Sequence, residues 1–224
     1  MPTRHTAIVT GANHGIGAAT AQALARRGCS VLCAFLRLDH PPDPGTPQAY
    51  RDNHARDAAA VVARITEEGG TAVAMDADLS DPATPALLFD TAEEQFGPVD
   101  VLVNNATGWL ADTFAATETD RLGRSLQPVT AATWTQQFTV DAMGAALMIS
   151  EFARRHIARQ GTWGRIIGLT SGGDLGFPEE VAEVIAYLAS DEAALITANV
   201  IPRRGSRCRT RTRCYGTGTS ISCR

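Results

Sequence analysis

HTAIVTGANHGIGAATAQALARRG, residues 5–28, is the stretch on which the fold turns. It opens with a short apolar run, 5–11, that stops at a glycine. It continues from 16 to 28 with alanine and leucine at helical spacing and closes on Gly28. That order predicts a buried strand, a tight turn and a helix. The turn itself reads TGANHGIG, residues 10–17. Gly11 permits the tight turn, while Gly15 and Gly17 allow backbone to approach a pyrophosphate and helix to pack on strand. The first N–H groups of the following helix would face that anion at the positive end of the helix dipole. The expectation is a dinucleotide loop, set against the plainer reading of a structural turn.

The same alternation continues outward. Residues 30–36 (SVLCAFL), 71–77 (TAVAMDA), 99–106 (VDVLVNNA) and 164–171 (GRIIGLTS) read as strands. Residues 57–70, 82–97, 130–160 and 178–191 read as helices, the long one with Thr130 or Thr133 as N-cap. Residues 37–56, rich in proline and charge, read as an exposed loop, and 107–130 as a polar interruption. Continuous apolar strands alternating with helices predict an α/β fold: a doubly wound, Rossmann-type parallel sheet in one domain, residues 1–201.

Composition narrows the remaining classes. The chain has 224 residues, 44% of them hydrophobic, enough for one sizeable core. No apolar run reaches the roughly 18 residues of a membrane span, and the N-terminus lacks the form of a signal peptide, so no membrane partner and a cytoplasmic location are expected. Residues 1–201 hold all 24 acidic side chains against 13 arginines, a charge of −11. Residues 202–224 hold seven arginines and no acid, and every basic side chain of the protein is arginine: there is no lysine. Cys29 and Cys33 read as buried thiols, and Cys208, Cys214 and Cys223 fit no zinc pattern, so no metal is expected.

Taken with the glycine spacing T-G-x-x-x-G-x-G, several short motifs resemble the short-chain dehydrogenase/reductase family, most closely its 3-oxoacyl-(acyl carrier protein) reductase-like members. NNAT (104–107) stands at the end of the fourth strand, DADL (76–79) at the end of the third, and GRIIGLTS ends the fifth at Ser171. PEEVAEVIAYLASDEAALITANVI (178–201) resembles the family's late helix and final strand. The resemblance covers nearly all of 5–201. It implies hydride transfer between a nicotinamide nucleotide and a small-molecule carbonyl or alcohol. It further implies that Gly11, Asn13, His14, Gly15, Ile16, Gly17, Asp78, Leu79, Asn105 and Ala106 line the cofactor, with Ser171 bonding the substrate oxygen. Asp141 stands where many members carry a relay asparagine, and a solvated or helix-bound carboxylate is an equal reading. Arg37, at the end of the second strand, and His14 favour the 2′-phosphate of NADP, with NAD possible because Asp39 is near.

The resemblance also implies a general-acid tyrosine and, one helical turn on, a lysine that lowers its pKa and holds the ribose. Glu183 and Val184 stand at the tyrosine's spacing, and Tyr187 has Asp191 one turn on. Arginine does not substitute readily for that lysine, being planar and bulkier. Residues 165–181 and 178–201 each match, so the segment expected between them is missing, as an internal deletion would leave it. The helix 178–191 is then expected to cross over to LITANVI (195–201) as a sixth parallel strand beside the fifth. A homo-oligomer is expected to be weakened, because family members often pair through the missing helix, leaving helix 130–160 with an exposed apolar face. Residues 202–224 read as a basic, disordered tail with the look of an out-of-frame translation. Nucleic acid is not the expected partner, since only Tyr215 interleaves the tail's arginines. Three readings follow: a reductase impaired or inactive as encoded, a cofactor-binding pseudoenzyme, and a non-catalytic protein with an adhesive tail.

Overall fold

Residue alternation along the strands organises the structure, a computed structural model that describes residues 5–170, 177–198 and 200–201. In β1 (Thr6–Thr10) every residue is buried, so both faces of the strand are covered. Ala7 and Val9 enter one apolar layer and Ile8 enters the other, as a two-residue period requires. β2 (Ser30–Phe35) repeats the arrangement, with Val31 and Cys33 on one side and Leu32 and Ala34 on the other. β3 (Thr71–Asp76), β4 (Val99–Asn104) and two short strands, β5 (Asp112–Thr113) and β6 (Gln127–Pro128), precede β7 (Arg165–Gly168). The main sheet is parallel, in the order β3-β2-β1-β4-β7. The doubly wound fold expected from the sequence is present. Its edge strands, β3 and β7, are only partly buried.

Helices cover both faces. α1 (Gly15–Arg26), α3 (Ala59–Glu67) and α7 (Pro178–Leu188) share one layer. α4 (Thr84–Phe96) and α6 (Ala145–Ala158) supply Leu88, Phe89, Met148 and Phe152 to the other. α7 begins with Pro178 at its first turn, followed by Glu179 and Glu180, as suits the positive end of a helix dipole. It buries Ala182, Ile185 and Ala186 in the layer that holds Ala18, Ala21 and Ala25 of α1. Glu183 faces Arg26 and Arg27 at 3.3 and 3.4 Å. The small residues along both helices permit this close seam.

Four expectations are corrected. Residues 37–56 are not wholly loop, because α2 (Gln48–Ala55) forms there with no buried residue and hence no apolar stripe to read. The helix expected over 130–160 is α5 (Ala131–Phe138), a π-helical turn over Thr139–Gly144, then α6. Its N-cap is Thr130, whose hydroxyl accepts from Thr133 N–H at 3.2 Å. The polar interruption 107–130 contains the β5–β6 pair. Finally, the described residues of 195–201 form no strand. Hydrogen bonds from Trp163 Nε1–H to Asp191 at 2.6 Å and, longer, from Arg165 to Ser190 O at 3.4 Å hold the end of α7 beside the start of β7. A 3-10 turn follows, and Ala198 has φ +52°, which breaks an extended run. Leu195 is left 96% exposed. Ser171 and the tail 202–224 lie outside the described residues.

Candidate nucleotide-binding site

The C-terminal ends of β1 and β4 are laced together by Thr10 and Asn105. The buried Thr10 hydroxyl accepts from Asn105 N–H and Ala106 N–H, each at 3.0 Å, and donates to Val103 O at 3.3 Å. The Asn105 amide donates to Thr10 O at 2.9 Å and Gly11 O at 3.2 Å. Both hydrogen-bonding capacities of Thr10 are therefore used to fix the backbone from which the glycine loop starts. The sequence reading passed over Thr10; its buried place before Gly11 was the available signal.

The loop then turns sharply into α1. A Cβ on Gly17 would lie 2.0 Å from Gly11 O and 2.7 Å from Asn105 Nδ2, so only glycine fits. Gly15 has φ +55°, and a Cβ there would meet nothing within 4 Å. The backbone is thus in a conformation glycine favours, with open space before it. His14 is the N-cap in extended conformation, and its side chain makes no cap bond. The first N–H groups of α1 have no intrahelical partner by geometry, and among the described residues no side chain caps them. Asn13 is turned away from them: its amide donates to Arg56 O at 3.0 Å. Ile16 is half-buried and packs on the core layer of α1.

At the neighbouring strand ends, the Asp78 carboxylate accepts from Ser80 N–H at 2.8 Å and is exposed, while Leu79 is buried in the layer beneath with Leu88 and Phe89. Arg37 is 61% exposed, and its Nε–H donates to Asp76 Oδ2 at 3.1 Å. Asp76 was not singled out from the sequence. It stands opposite Phe35 in the β2–β3 register, which brings it to the end of β2. Asn104 Oδ1, at the end of β4, is buried with no hydrogen-bond partner among the described residues. An open glycine turn and uncapped helix N–H groups at one strand edge suit an anionic ligand, while the orphaned Asn104 oxygen calls for a hydrogen-bond donor.

Asp141 sits in the π-helical turn between α5 and α6. One of its oxygens accepts from Gly108 N–H at 2.7 Å and the other from Thr107 Oγ1–H at 3.1 Å. The carboxylate is therefore committed to holding the loop that leaves β4. Tyr187 is 38% exposed on α7, away from these strand ends. Of the residues expected to line the nucleotide, Gly11, Asn13, His14, Gly15, Ile16, Gly17, Arg37, Asp78, Asn105 and Ala106 follow the C-terminal ends of the sheet strands, with Leu79 beneath.

Comparison with known proteins follows the geometry. The family model for short chain dehydrogenases matches residues 45–200. A short-chain type dehydrogenase/reductase of Picea abies is 32% identical over 168 residues, covering 74% of this chain and 53% of that protein. A 3-oxoacyl-[acyl-carrier-protein] reductase of Synechocystis is 36% identical over 104 residues, 46% of this chain and 36% of that one. The crystal structure of a 3-oxoacyl (acyl-carrier-protein) reductase from Agrobacterium tumefaciens with NADP bound superposes with a TM-score of 0.56 at 28% identity, covering 81% of this chain and 59% of that one. The chain spans about half the length of the curated relatives it matches over most of its own length. No helix among the described residues is long and apolar enough to cross a membrane.

Proposed function

Because the chain belongs to the short-chain dehydrogenase/reductase family, we propose that it is a nicotinamide-nucleotide-binding protein of that family, with a preference for NADP, whose hydride-transfer chemistry is lost or reduced to a trace. The observation that carries the reading is a contrast within one sequence. The glycine loop retains the close approach of Gly17 to Gly11 O and the open side of Gly15, while the chain holds no lysine at all.

Each residue has a physical part in this proposal. Thr10 and Asn105 hold the loop. The N–H groups at the start of α1 receive the pyrophosphate. Arg37, and His14 once protonated, supply positive charge for a ribose 2′-phosphate, and Asp78 belongs to the adenine end. Asn104 Oδ1 offers an acceptor at the end of β4. A bound reduced nicotinamide would supply the hydride. Neither candidate donor among the described residues is well equipped to hand a proton to a carbonyl oxygen: Tyr187 has Asp191, not a cation, one turn on, and Asp141 is tied to Thr107 and Gly108. Losing a general acid costs on the order of 10²–10⁴ in rate, and the ribose-holding lysine is lost with it. Ser171 remains the proposed contact to a substrate oxygen if turnover persists. The substrate class, a small carbonyl compound or alcohol, is part of the same proposal, as is a homo-oligomer weakened by the absence of one helix.

The experiment is steady-state oxidation of NADPH with a panel of aldehydes, ketones and 3-oxoacyl thioesters. The expected result is turnover at least about a hundredfold below the ordinary enzyme range of roughly 1–10³ s⁻¹. Rates within that range for any carbonyl would refute the loss of chemistry.

A further inference from the structure

Three of the protein's five histidines gather at one place, and the nucleotide-binding reading does not use two of them. His14 leaves the glycine loop. His54 comes from α2, and His40 from the segment before it. The His14 and His54 rings have centroids 4.3 Å apart, and His40 and His54 lie at 4.9 Å. His40 Nε2 and His54 Nδ1 are 3.1 Å apart, sharing one proton in a hydrogen bond. Tyr50 closes the group, 4.3 Å from His54.

This is not a loose surface loop. Leu38 N–H donates to His54 O at 2.9 Å. Asn13 ties the glycine loop to Arg56 O. At its other end the segment reaches the excursion that follows β4, where Ser125 N–H donates to Asp43 Oδ2 at 3.0 Å. β2 and β4 flank β1 in the sheet. A segment that leaves β2 and touches the excursion from β4 therefore passes across the end of β1, where the glycine loop begins.

The tautomer of His14 follows from its neighbour. Asn13 Nδ2 is the donor to Arg56 O, so Asn13 Oδ1 is the atom facing His14 Nδ1 at 3.0 Å. His14 must then carry its proton on Nδ1, leaving a lone pair on Nε2. Among the described residues, no hydrogen-bond partner meets Nε2 of His14. No carboxylate bonds any of the three rings either. Several charged groups nearby are engaged elsewhere, Asp52 with Gln48, Arg51 with Thr46 O, Arg124 with Asp120, and Arg37 with Asp76, and Asp39, next to His40, bonds none of the rings. Burial lowers the pKa of His14, and burial together with the charges of His14 and His40 pushes His54 down to about 4. His14 and His54 therefore favour their neutral forms, with no carboxylate bonded to either ring among the described residues. Among the described residues, no three His, Cys, Asp or Glu side chains are disposed to hold a metal ion, and a ring whose free atom is a lone pair meets an anion only by first taking up a proton.

The geometry points to a proton-coupled phosphate site, in which His14 Nε2 takes up one proton from solvent as a phosphomonoester on the nucleotide's ribose arrives, with His40, Tyr50 and His54 forming the wall behind it. This rests on the nucleotide-binding reading and adds its regulation. The proton ends on Nε2, which then donates to a phosphate oxygen; no other bond changes. Mutual repulsion within three rings this close limits the uptake to one proton.

The test is calorimetric titration of the full chain with NADPH, NADH, 2′,5′-ADP, 5′-AMP and inorganic phosphate, between about pH 6 and pH 8, in buffers of different ionisation enthalpy. Expected are uptake approaching one proton with NADPH and 2′,5′-ADP and little with NADH or 5′-AMP. NADPH affinity should weaken by up to about tenfold per pH unit as pH rises. The ligand's own second ionisation, near about 6, acts in the opposite direction, so the sign discriminates. His14→Arg should bind NADPH without proton uptake, and His54→Phe should reduce the preference for NADPH over NADH. NADPH binding without proton uptake would overturn the proposal, as would equal uptake with NADH and 5′-AMP, which would assign the proton to the pyrophosphate. Binding of inorganic phosphate alone, with the same proton, would make the cluster a free-phosphate site and overturn the ribose assignment. Failure of both dinucleotides to bind would instead defeat the nucleotide-binding reading beneath it.

Discussion

Ile185 on α7 is 3% exposed and packs into the layer that carries α1, while its neighbour Val184 is 42% exposed. Truncating Ile185 to alanine removes three carbon atoms from the α1–α7 seam. The lost transfer free energy is about 2 kcal/mol, and a cavity that collapses incompletely adds to it, for about 2–4 kcal/mol in all. For a chain of this size each kcal/mol moves Tm by about 2–4 °C, so Ile185→Ala should lower Tm by roughly 4–16 °C. Val184→Ala, on the solvent side of the same helix, should cost less than about 0.5 kcal/mol. Paired urea and thermal unfolding curves, with equal m-values required, give both numbers. The pair isolates docking from helix propensity, since both replacements remove a β-branched residue. Equal and small effects would mean that α7 is not docked on α1, and that the helix carrying the phosphate-facing N-terminus lacks its backing.

Three further outcomes follow from named contacts. Thr10→Val keeps shape but removes the acceptor for Asn105 N–H and Ala106 N–H; it should cost about 1–3 kcal/mol in urea unfolding and weaken nucleotide binding, and an unchanged midpoint would contradict the lacing role. His54, with its pKa pushed down to about 4, is neutral when folded, whereas the unfolded chain protonates near about 6.5. Its contribution is fully present above that higher value and is lost as pH falls toward about 4, by about 1 kcal/mol once solvent screening is allowed for; His54→Phe should flatten that part of the urea-midpoint profile. Asp76→Asn releases Arg37 from its 3.1 Å partner and should raise NADPH affinity relative to NADH by roughly twofold to fivefold, measured by competitive titration.

The parts of the fold that were readable in the sequence are those in which burial leaves a mark. β1, β2 and β4 are covered on both faces, so they appear as unbroken apolar runs, and Gly11, Gly15 and Gly17 mark backbone that no side chain can share. α2 left no such mark because it buries nothing; it is held by Gln48 with Asp52 and by contacts to the glycine loop, all between polar residues. LITANVI misled because its apolar content suits a strand, while the left-handed turn at Ala198 is invisible in composition. Asp76 became relevant only through strand register, which places it beside Arg37. Asp141 was legible as a position near the site, but its engagement by Thr107 and Gly108 depends on how the β4 loop folds back. The absence of lysine, by contrast, needed no structure.

The most direct test is a titration of the purified full chain with NADPH and NADH, followed by tryptophan fluorescence or calorimetry, with folding verified by circular dichroism. Saturable binding that favours NADPH and is abolished by Gly15→Asp, which puts a charged side chain into the open face of the loop, is the predicted result. A folded protein that binds neither nucleotide, or binds both equally well with Gly15→Asp in place, would contradict the account.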